Sequence, residues 1–318
     1  MNFESLKPSI ESVKQIGRVA VLMGGTSAER DISLMSGNAV YIALINAGVD
    51  AFKLDIQHNA INQLQDMKAD RVFNILHGRG GEDGQLQAVM DNLGIIYTGS
   101  DVCASALAMN KLLTKRVLRG SGLPTPEFQV LNSEEDCKRL LEELGLPVFV
   151  KPNLEGSSIG MTAVTKAEGL IPAWEKAREF GEVFAEKWIM GSEYTAGFLG
   201  DKVLPLIKLE TPREFYDYEA KYFSDDTIYT CPCGLDEKTN SIINELVTET
   251  IKVTGVKHWG RVDIMLDEDK QPYIIEVNTV PGMTDHSLVP MAAKQAGLDM
   301  SELVLKILEL TLEGQNDA

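Results

Sequence analysis

The chain has 318 residues, 44% of them apolar and 24% charged, which describes a soluble globular protein too long for one hydrophobic core and predicts two or three domains. A formal net charge of -17 excludes a general nucleic-acid surface and attraction to anionic membranes, but leaves room for an anionic substrate held by a local basic cluster. Four cysteines give no disulfide framework, no apolar run of about 18 residues occurs, and Met1 to Gln15 lacks a signal-peptide core, so a cytoplasmic location is expected.

In chain order, Arg18 to Met23 predicts a strand, Gly24-Gly25-Thr26-Ser27 a turn and Ala28 to Gly48 a helix. Strand, glycine turn and helix open an α/β unit, and the helix N-terminus favours an anion. Further strands are expected at Ala51 to Asp55, Arg71 to Leu76 and Ile95 to Tyr97, with helices at Ile61 to Met67 and Gln85 to Leu93. The third strand runs into His77-Gly78-Arg79-Gly80-Gly81-Glu82-Asp83-Gly84. Such a polar glycine loop at a strand's carboxyl end fits a ligand site, or a plain flexible turn. One helix from Ala104 to Arg119 is expected to lead out of this unit.

Past the turn-rich Gly120 to Pro126, strands are predicted at Glu127 to Val130 and Pro147 to Lys151, with a helix at Glu134 to Leu144 between them. Lys151 opens Lys151-Pro152-Asn153-Leu154-Glu155-Gly156-Ser157-Ser158-Ile159-Gly160. A lysine at a strand end before a glycine- and serine-rich loop can hold phosphates, although an ordinary hairpin loop fits the same residues. After a helix at Ala167 to Glu179, the strand Glu182 to Met190 could present its backbone and Glu186 to a flat base, while Phe184, Trp188 and Ile189 also suit plain core. A strand pair is expected around Gly200-Asp201, a substrate-covering loop at Pro212 to Ser224, and a helix at Asp236 to Thr254. The segment Pro281 to Leu288 and a C-terminal helix at Met300 to Leu312 close the chain.

The stretch Gly260 to Gly282 carries the most chemistry. It reads as two strands joined by a polar turn at Asp267 to Gln271. Because side chains alternate along a strand, Arg261 and Asp263 share one face and Glu276 and Asn278 share another, opposed by Val262, Ile264, Ile275 and Val277. Paired, the strands would gather two carboxylates, an amide oxygen and a guanidinium above an apolar floor. All-oxygen ligands suit a hard cation such as Mg²⁺, and an arginine beside it suits a phosphate.

Taken together, these segments resemble the ATP-grasp ligases, and more closely the D-alanine:D-alanine ligase family of peptidoglycan precursor synthesis. The resemblance runs from about residue 17 to the end and includes Gly24 to Arg30, His77 to Gly84, Lys151 to Ser158, Glu186 to Trp188, Tyr216 to Tyr222, Gly260 to Asp263, Glu276 to Asn278 and Pro281 to Thr284. It implies an ATP-grasp fold of three α/β domains, spanning 1–105, 106–192 and 193–318, with ATP between the central and C-terminal ones. It also implies that Lys111 and Lys151 contact ATP phosphates, that Lys221 binds ATP, that Glu186 and the backbone of Lys187 and Ile189 hold adenine, and that Glu193 takes the ribose. Asp263, Glu276 and Asn278 would ligate two Mg²⁺ (or Mn²⁺) ions, with Arg261 facing the transferred phosphoryl group.

For the amino acids, the resemblance assigns Glu29 to the ammonium of the first D-alanine and His77 to the vicinity of its carboxylate. Ser157 and Tyr222 would link the moving loops to the site. Ser287 and the backbone of Leu288 would take the second D-alanine's carboxylate, and Gly282 with Arg261 would face the tetrahedral intermediate. The base is expected to be the network near His77 or the released phosphate. A homodimer is implied, and Met1 to Gln15 reads as a peripheral extension. The alternatives are a ligase that joins D-alanine to D-lactate or D-serine, which the retained Tyr222 disfavours, and a nucleotide-binding regulatory protein without catalysis.

Overall fold

The structure, a computed structural model, describes residues 3–211 and 227–312. Tyr222, Lys221 and the loop expected at Pro212 to Ser224 lie outside the described residues.

Three sheets organise the chain. The first contains β1 (Val19–Gly24), β2 (Ala51–Ile56), β3 (Arg71–Asn74) and β4 (Ile96–Tyr97), all parallel, in the order β2-β1-β3-β4. Every residue of β1 and β3 is buried, the condition of central strands covered on both faces, and the reason that Val19 to Met23 is unbroken apolar sequence. The chain leaves β1 for one side of the sheet and returns through β3 on the other. The carboxyl ends of these two strands therefore flank a crevice, where open α/β sheets bind ligands. The Glu29 turn and the His77 loop occupy it.

The second sheet is antiparallel: β5 (Phe128–Leu131), β6 (Val148–Pro152), β7 (Thr162–Val164) and β8 (Val183–Lys187), in the order β5-β8-β6-β7. Along β6, burial alternates. Val148 and Val150 pack on the helices Glu134–Glu143 and Leu170–Arg178 with Leu140 and Ala173. Phe149 and Lys151 point the other way.

The third sheet holds β9 (Gly191–Leu199), β10 (Lys202–Val203), β11 (Ile207–Glu210), β12 (Ile228–Thr230), β13 (Trp259–Asp267) and β14 (Pro272–Asn278). Its order is β12-β11-β9-β13-β14, with β10 on β9.

Three expectations needed correction. The helix predicted from Ala104 to Arg119 is two helices, Val102–Met109 and Lys111–Gly120. They are broken at Asn110, whose backbone is extended and whose side chain accepts from the Leu113 N–H at 2.9 Å. This cap puts Lys111 in the first turn of the second helix. A helix at Leu288–Gln295 was not foreseen. Its Pro290 reads as a breaker, yet sits in the first turn, where no backbone N–H is needed. Finally, the N-terminal segment is not peripheral. Leu6 is buried in the main core, and the Ser9 N–H donates to Glu309 Oε1 at 3.1 Å.

That core extends from β1 and β3 through Leu199 and Trp259 to the helix Met300–Glu309, so the first and last sheets share one apolar cluster. Among the described residues, no helix is long and apolar enough to cross a membrane.

Candidate active site

The hairpin β13–β14 forms with the expected turn. Arg261 pairs with Asn278 and Asp263 with Glu276, so all four polar side chains stand on one face. After Asp263 the register slips by one residue, Ile264 pairing with Ile274. This bulge alters one expectation: Ile274 is fully buried, while Ile275, expected on the opposite face from Glu276, lines a cavity beside it.

Asp263 is heavily engaged. Its Oδ1 accepts from Thr195 Oγ1 at 2.7 Å and Arg261 Nε at 2.8 Å, and its Oδ2 from Arg261 Nη2 at 2.7 Å and Asn278 Nδ2 at 3.0 Å. Glu276 lies 3.7 Å from Lys111 Nζ. Among the described residues no cluster of three or more His, Cys, Asp or Glu could hold a metal. The set Asp263, Glu276 and Asn278 has two acids, and its third oxygen is an amide. Its all-oxygen chemistry fits a hard divalent cation.

Two cavities adjoin this face. The first, about 170 Å³, is lined by Glu29, His77, Arg261, Asn278, Gly282 and Ser287 among others. The second, about 110 Å³, is lined by Lys151, Glu186, Lys187, Ile189, Glu193 and Asp263. Lys111, Gly156, Ser157 and Glu276 line both. The residues expected to handle amino acids thus gather around one cavity, those expected to handle a nucleotide around the other, and the two meet at a lysine and a carboxylate.

In the first cavity, Glu29 precedes the helix Arg30–Asn46 but makes no side-chain cap to it. Its Oε1 accepts instead from Ser157 Oγ. Ser157 and Ser158 have φ of 50° and 60°, the left-handed region that costs non-glycine residues energy. Gly156 packs close to the carboxylate, since a Cβ there would lie 3.1 Å from Glu29 Oε2. Ser27 ties the two crevice loops together, accepting from the Glu29 N–H at 3.2 Å and donating to the His77 carbonyl at 2.7 Å.

His77 is buried, with Nε2 3.4 Å from Ser36 Oγ. Burial pulls its pKa down to about 4, against a backbone hydrogen bond at Val280 and with help from the Arg261 charge. A neutral imidazole held this low is a poor base at neutral pH, which counts against the base role expected for it. Glu82 lies in the same cavity, accepts from the Gly78 N–H at 2.8 Å, and is pushed up to about 8 by burial and by the Glu29 charge.

At the far end, Ser287 Oγ accepts from the Thr284 N–H at 2.9 Å and does not cap its own helix, Leu288–Gln295. The N-terminus of that helix is therefore left to face an anion. A Cβ at Gly282 would meet Ser287 Oγ at 2.9 Å, so a side chain there would displace that hydroxyl.

In the second cavity, Lys111 Nζ donates to the Glu155 carbonyl at 2.7 Å, and the start of its helix is held by Asn153, whose Oδ1 accepts from the Leu112 N–H at 2.9 Å. Lys151 Nζ reaches Glu186 Oε1. The Lys187 N–H is committed to the Glu127 carbonyl at 2.8 Å and its Nζ to the Leu144 carbonyl at 3.1 Å. Any backbone bond from Lys187 to a base would thus come from its own carbonyl. Phe184 is core, Trp188 packs on Phe149 at 4.7 Å, and Ile189 lines the cavity.

Sequence reasoning missed four residues here: Ser36, Thr195, Glu82 as a protonated acid, and Lys115, discussed below. Each is a common polar residue whose place depends on tertiary contacts alone.

Comparison with known proteins gives the family of the chain. Residues 117–309 match the family model described as D-ala D-ala ligase C-terminus. A D-alanine--D-alanine ligase of Methylococcus capsulatus is 54% identical over 305 residues, covering 96% of this chain and 99% of that protein. The crystal structure of the Bacillus anthracis D-alanine--D-alanine ligase superposes with a TM-score of 0.82 at 36% identity, covering 94% of this chain and 99% of that one. The same enzyme complexed with ATP gives 0.81 at 34% identity, covering 94% and 98%. A D-Ala:D-Ser ligase from Enterococcus faecalis gives 0.81 at 28% identity, covering 92% and 99%. The chain has the ATP-grasp fold and belongs to the D-alanine--D-alanine ligase family.

Proposed function

We propose that this protein joins two D-alanine molecules at the expense of ATP, through D-alanyl phosphate, to give D-alanyl-D-alanine, ADP and phosphate, with the residues of the two cavities in the roles described below. The observation that carries the residue assignments is the meeting of the two cavities at Lys111, Gly156, Ser157 and Glu276. A phosphoryl group must pass from a nucleotide to a carboxylate, and this junction is where the two would face each other.

A carboxylate is a poor electrophile, so it must first become an acyl phosphate. Glu29 receives the ammonium of the first D-alanine, with Ser157 steadying the carboxylate from the loop across the cavity. Neutral His77 and Arg261 lie at the end where its carboxylate would sit, and an uncharged imidazole can donate there without competing for the phosphoryl charge. Lys111 and Lys151 take phosphate oxygens, and Glu186, Ile189 and the Lys187 carbonyl line the base pocket, with Glu193 toward the ribose. Asp263, Glu276 and Asn278 hold divalent cations, Mg²⁺ or Mn²⁺, which when bound withdraw charge from the phosphates.

The second D-alanine places its carboxylate at Ser287 and the first turn of Leu288–Gln295. Its amine, once deprotonated, attacks the acyl carbon, the carbon–oxygen bond to phosphate breaks, and phosphate leaves with the proton that the amine gives up. Gly282 and Arg261 donate to the oxyanion that forms in between. Tyr222 and Lys221, outside the described residues, belong to the same proposal, Tyr222 in excluding water from the acyl phosphate and Lys221 in binding ATP. We assign residues 1–105, 106–192 and 193–318 as three domains, and a homodimer as the assembly. Ile42 and Ile45, exposed on the helix Arg30–Asn46, offer apolar surface for such an assembly.

Glu29→Gln tests the amino-acid assignment. Loss of the charge should raise the KM for D-alanine by on the order of tenfold or more, with the KM for ATP within about twofold of the parent. An unchanged D-alanine dependence would remove Glu29 from the subsite.

A further inference from the structure

Lys115 is a lysine with no role so far. It lies one turn after Lys111 on the helix Lys111–Gly120, and its side chain is 1% exposed. Its Nζ meets Glu186 Oε2 at 2.5 Å, while the other carboxylate oxygen of Glu186 is held by Lys151. Glu186 itself is 2% exposed, so one buried carboxylate is shared by two ammonium groups. Burial works to raise the Glu186 carboxyl, but the two ammonium charges outweigh it and hold it below the usual range. Burial pulls Lys115 below its ordinary value against the Glu186 charge.

The two lysines are not equivalent. Lys151 is 14% exposed and lines the second cavity. Lys115 is sealed off and anchored on its far side. Its Nζ donates to Thr125 Oγ1 at 3.0 Å and to the Ile275 carbonyl at 3.4 Å. Thr125 Oγ1 in turn donates to the Ile274 carbonyl at 2.8 Å. Lys115 thus joins Glu186 of β8 to the bulge of β14, next to Glu276, and bridges the two sheets on either side of the second cavity.

We propose that Lys115 is a positioning residue for nucleotide binding: it keeps the buried Glu186 carboxylate compensated and fixed against the β14 bulge, so that Lys151 can leave Glu186 for the phosphates. This rests on the reading of the second cavity as the ATP site. A buried charge that loses its partner is costly. With Lys115 absent, Glu186 would retain Lys151, and phosphate binding would have to break the last ion pair of a buried acid.

The test is a double-mutant cycle on the full-length protein, read by titration with ATP and with adenosine and by the KM for each substrate. Lys115→Met should weaken ATP binding by on the order of tenfold or more, weaken adenosine binding far less, and leave the KM for D-alanine within about twofold. In the Glu186→Gln background, which no longer holds Lys151, Lys115→Met should change ATP affinity by less than about threefold. A tenfold loss in that background, or equal losses for ATP and adenosine, would overturn the proposal, as would wild-type ATP affinity in the single variant. If Lys115→Met does not fold, the comparison in the Glu186→Gln background still decides. Failure of the parent protein to bind ATP would instead overturn the reading of the cavity.

Discussion

Burial at His77 makes a stability argument as well as a chemical one. Its pKa of about 4 in the folded protein lies below the ordinary value of 6.5. Between those values the unfolded chain binds a proton there that the folded protein does not, so stability falls as pH drops through that window and the penalty is complete below pH 4. His258, also brought to about 4 by burial with Lys257 nearby, adds to it. His77→Gln should therefore shrink the difference in unfolding free energy between neutral pH and about pH 4.5 by about 2 kcal/mol. Urea titration at the two pH values checks this; an unchanged difference would mean that the imidazole titrates normally. Glu82 works in the opposite direction. Raised to about 8 from 4.5, its protonated form contributes stability that is full below pH 4.5 and lost as pH rises through 8. Neither shift could be read from the segment His77 to Gly84, because the main cause in each case is burial by the rest of the protein, to which the Arg261 charge adds for one and the Glu29 charge for the other.

At the level of elements, the strands that carry the site were legible, and the irregularities that aim it were not. The alternation of Arg261, Asp263, Glu276 and Asn278 is a pattern of sequence, and the hairpin formed with those four side chains on one face. The bulge left no such mark, since Ile274 and Ile275 suit either face equally. The break at Asn110 was hidden because an asparagine between two helical runs can be read as part of one. Lys115 was invisible for a related reason: a lone lysine in a helix ordinarily faces solvent, and only the packing of helix Lys111–Gly120 on β14, with Glu186 of β8 within reach, puts it inside. The Asn110 cap can be tested directly. Asn110→Ala should cost about 1 kcal/mol in urea unfolding and, by loosening the first turn that carries Lys111, should weaken ATP binding more than D-alanine binding. A stable variant with normal ATP affinity would show that the break does not position Lys111.

For the whole molecule, the arrangement reconciles an acidic protein with an anionic substrate. The net charge of -17 extends into the cleft, where Lys111 lines both cavities, Lys151 the second and Arg261 the first, among the acids Glu29, Glu186, Asp263 and Glu276. On the proposed reading, these basic groups and the cations that the acids would hold together offset the phosphates. The cleft is built by elements far apart in sequence: the crevice loops of the first sheet, the Ser157 loop of the second and the hairpin of the third. The apolar cluster that joins β1 and β3 to the C-terminal helix sets the first against the last. On the proposed reading these parts make one peptide bond between two D-alanines, and the mass of the product tests this. Incubation with ATP, Mg²⁺ and D-alanine, alone or with D-lactate or D-serine, should yield D-alanyl-D-alanine with one ADP released per dipeptide, and the dipeptide should remain the main product in the mixtures. An ester with D-lactate, a mixed dipeptide with D-serine as the main product, or ATP binding without D-alanine-dependent ADP release would contradict it.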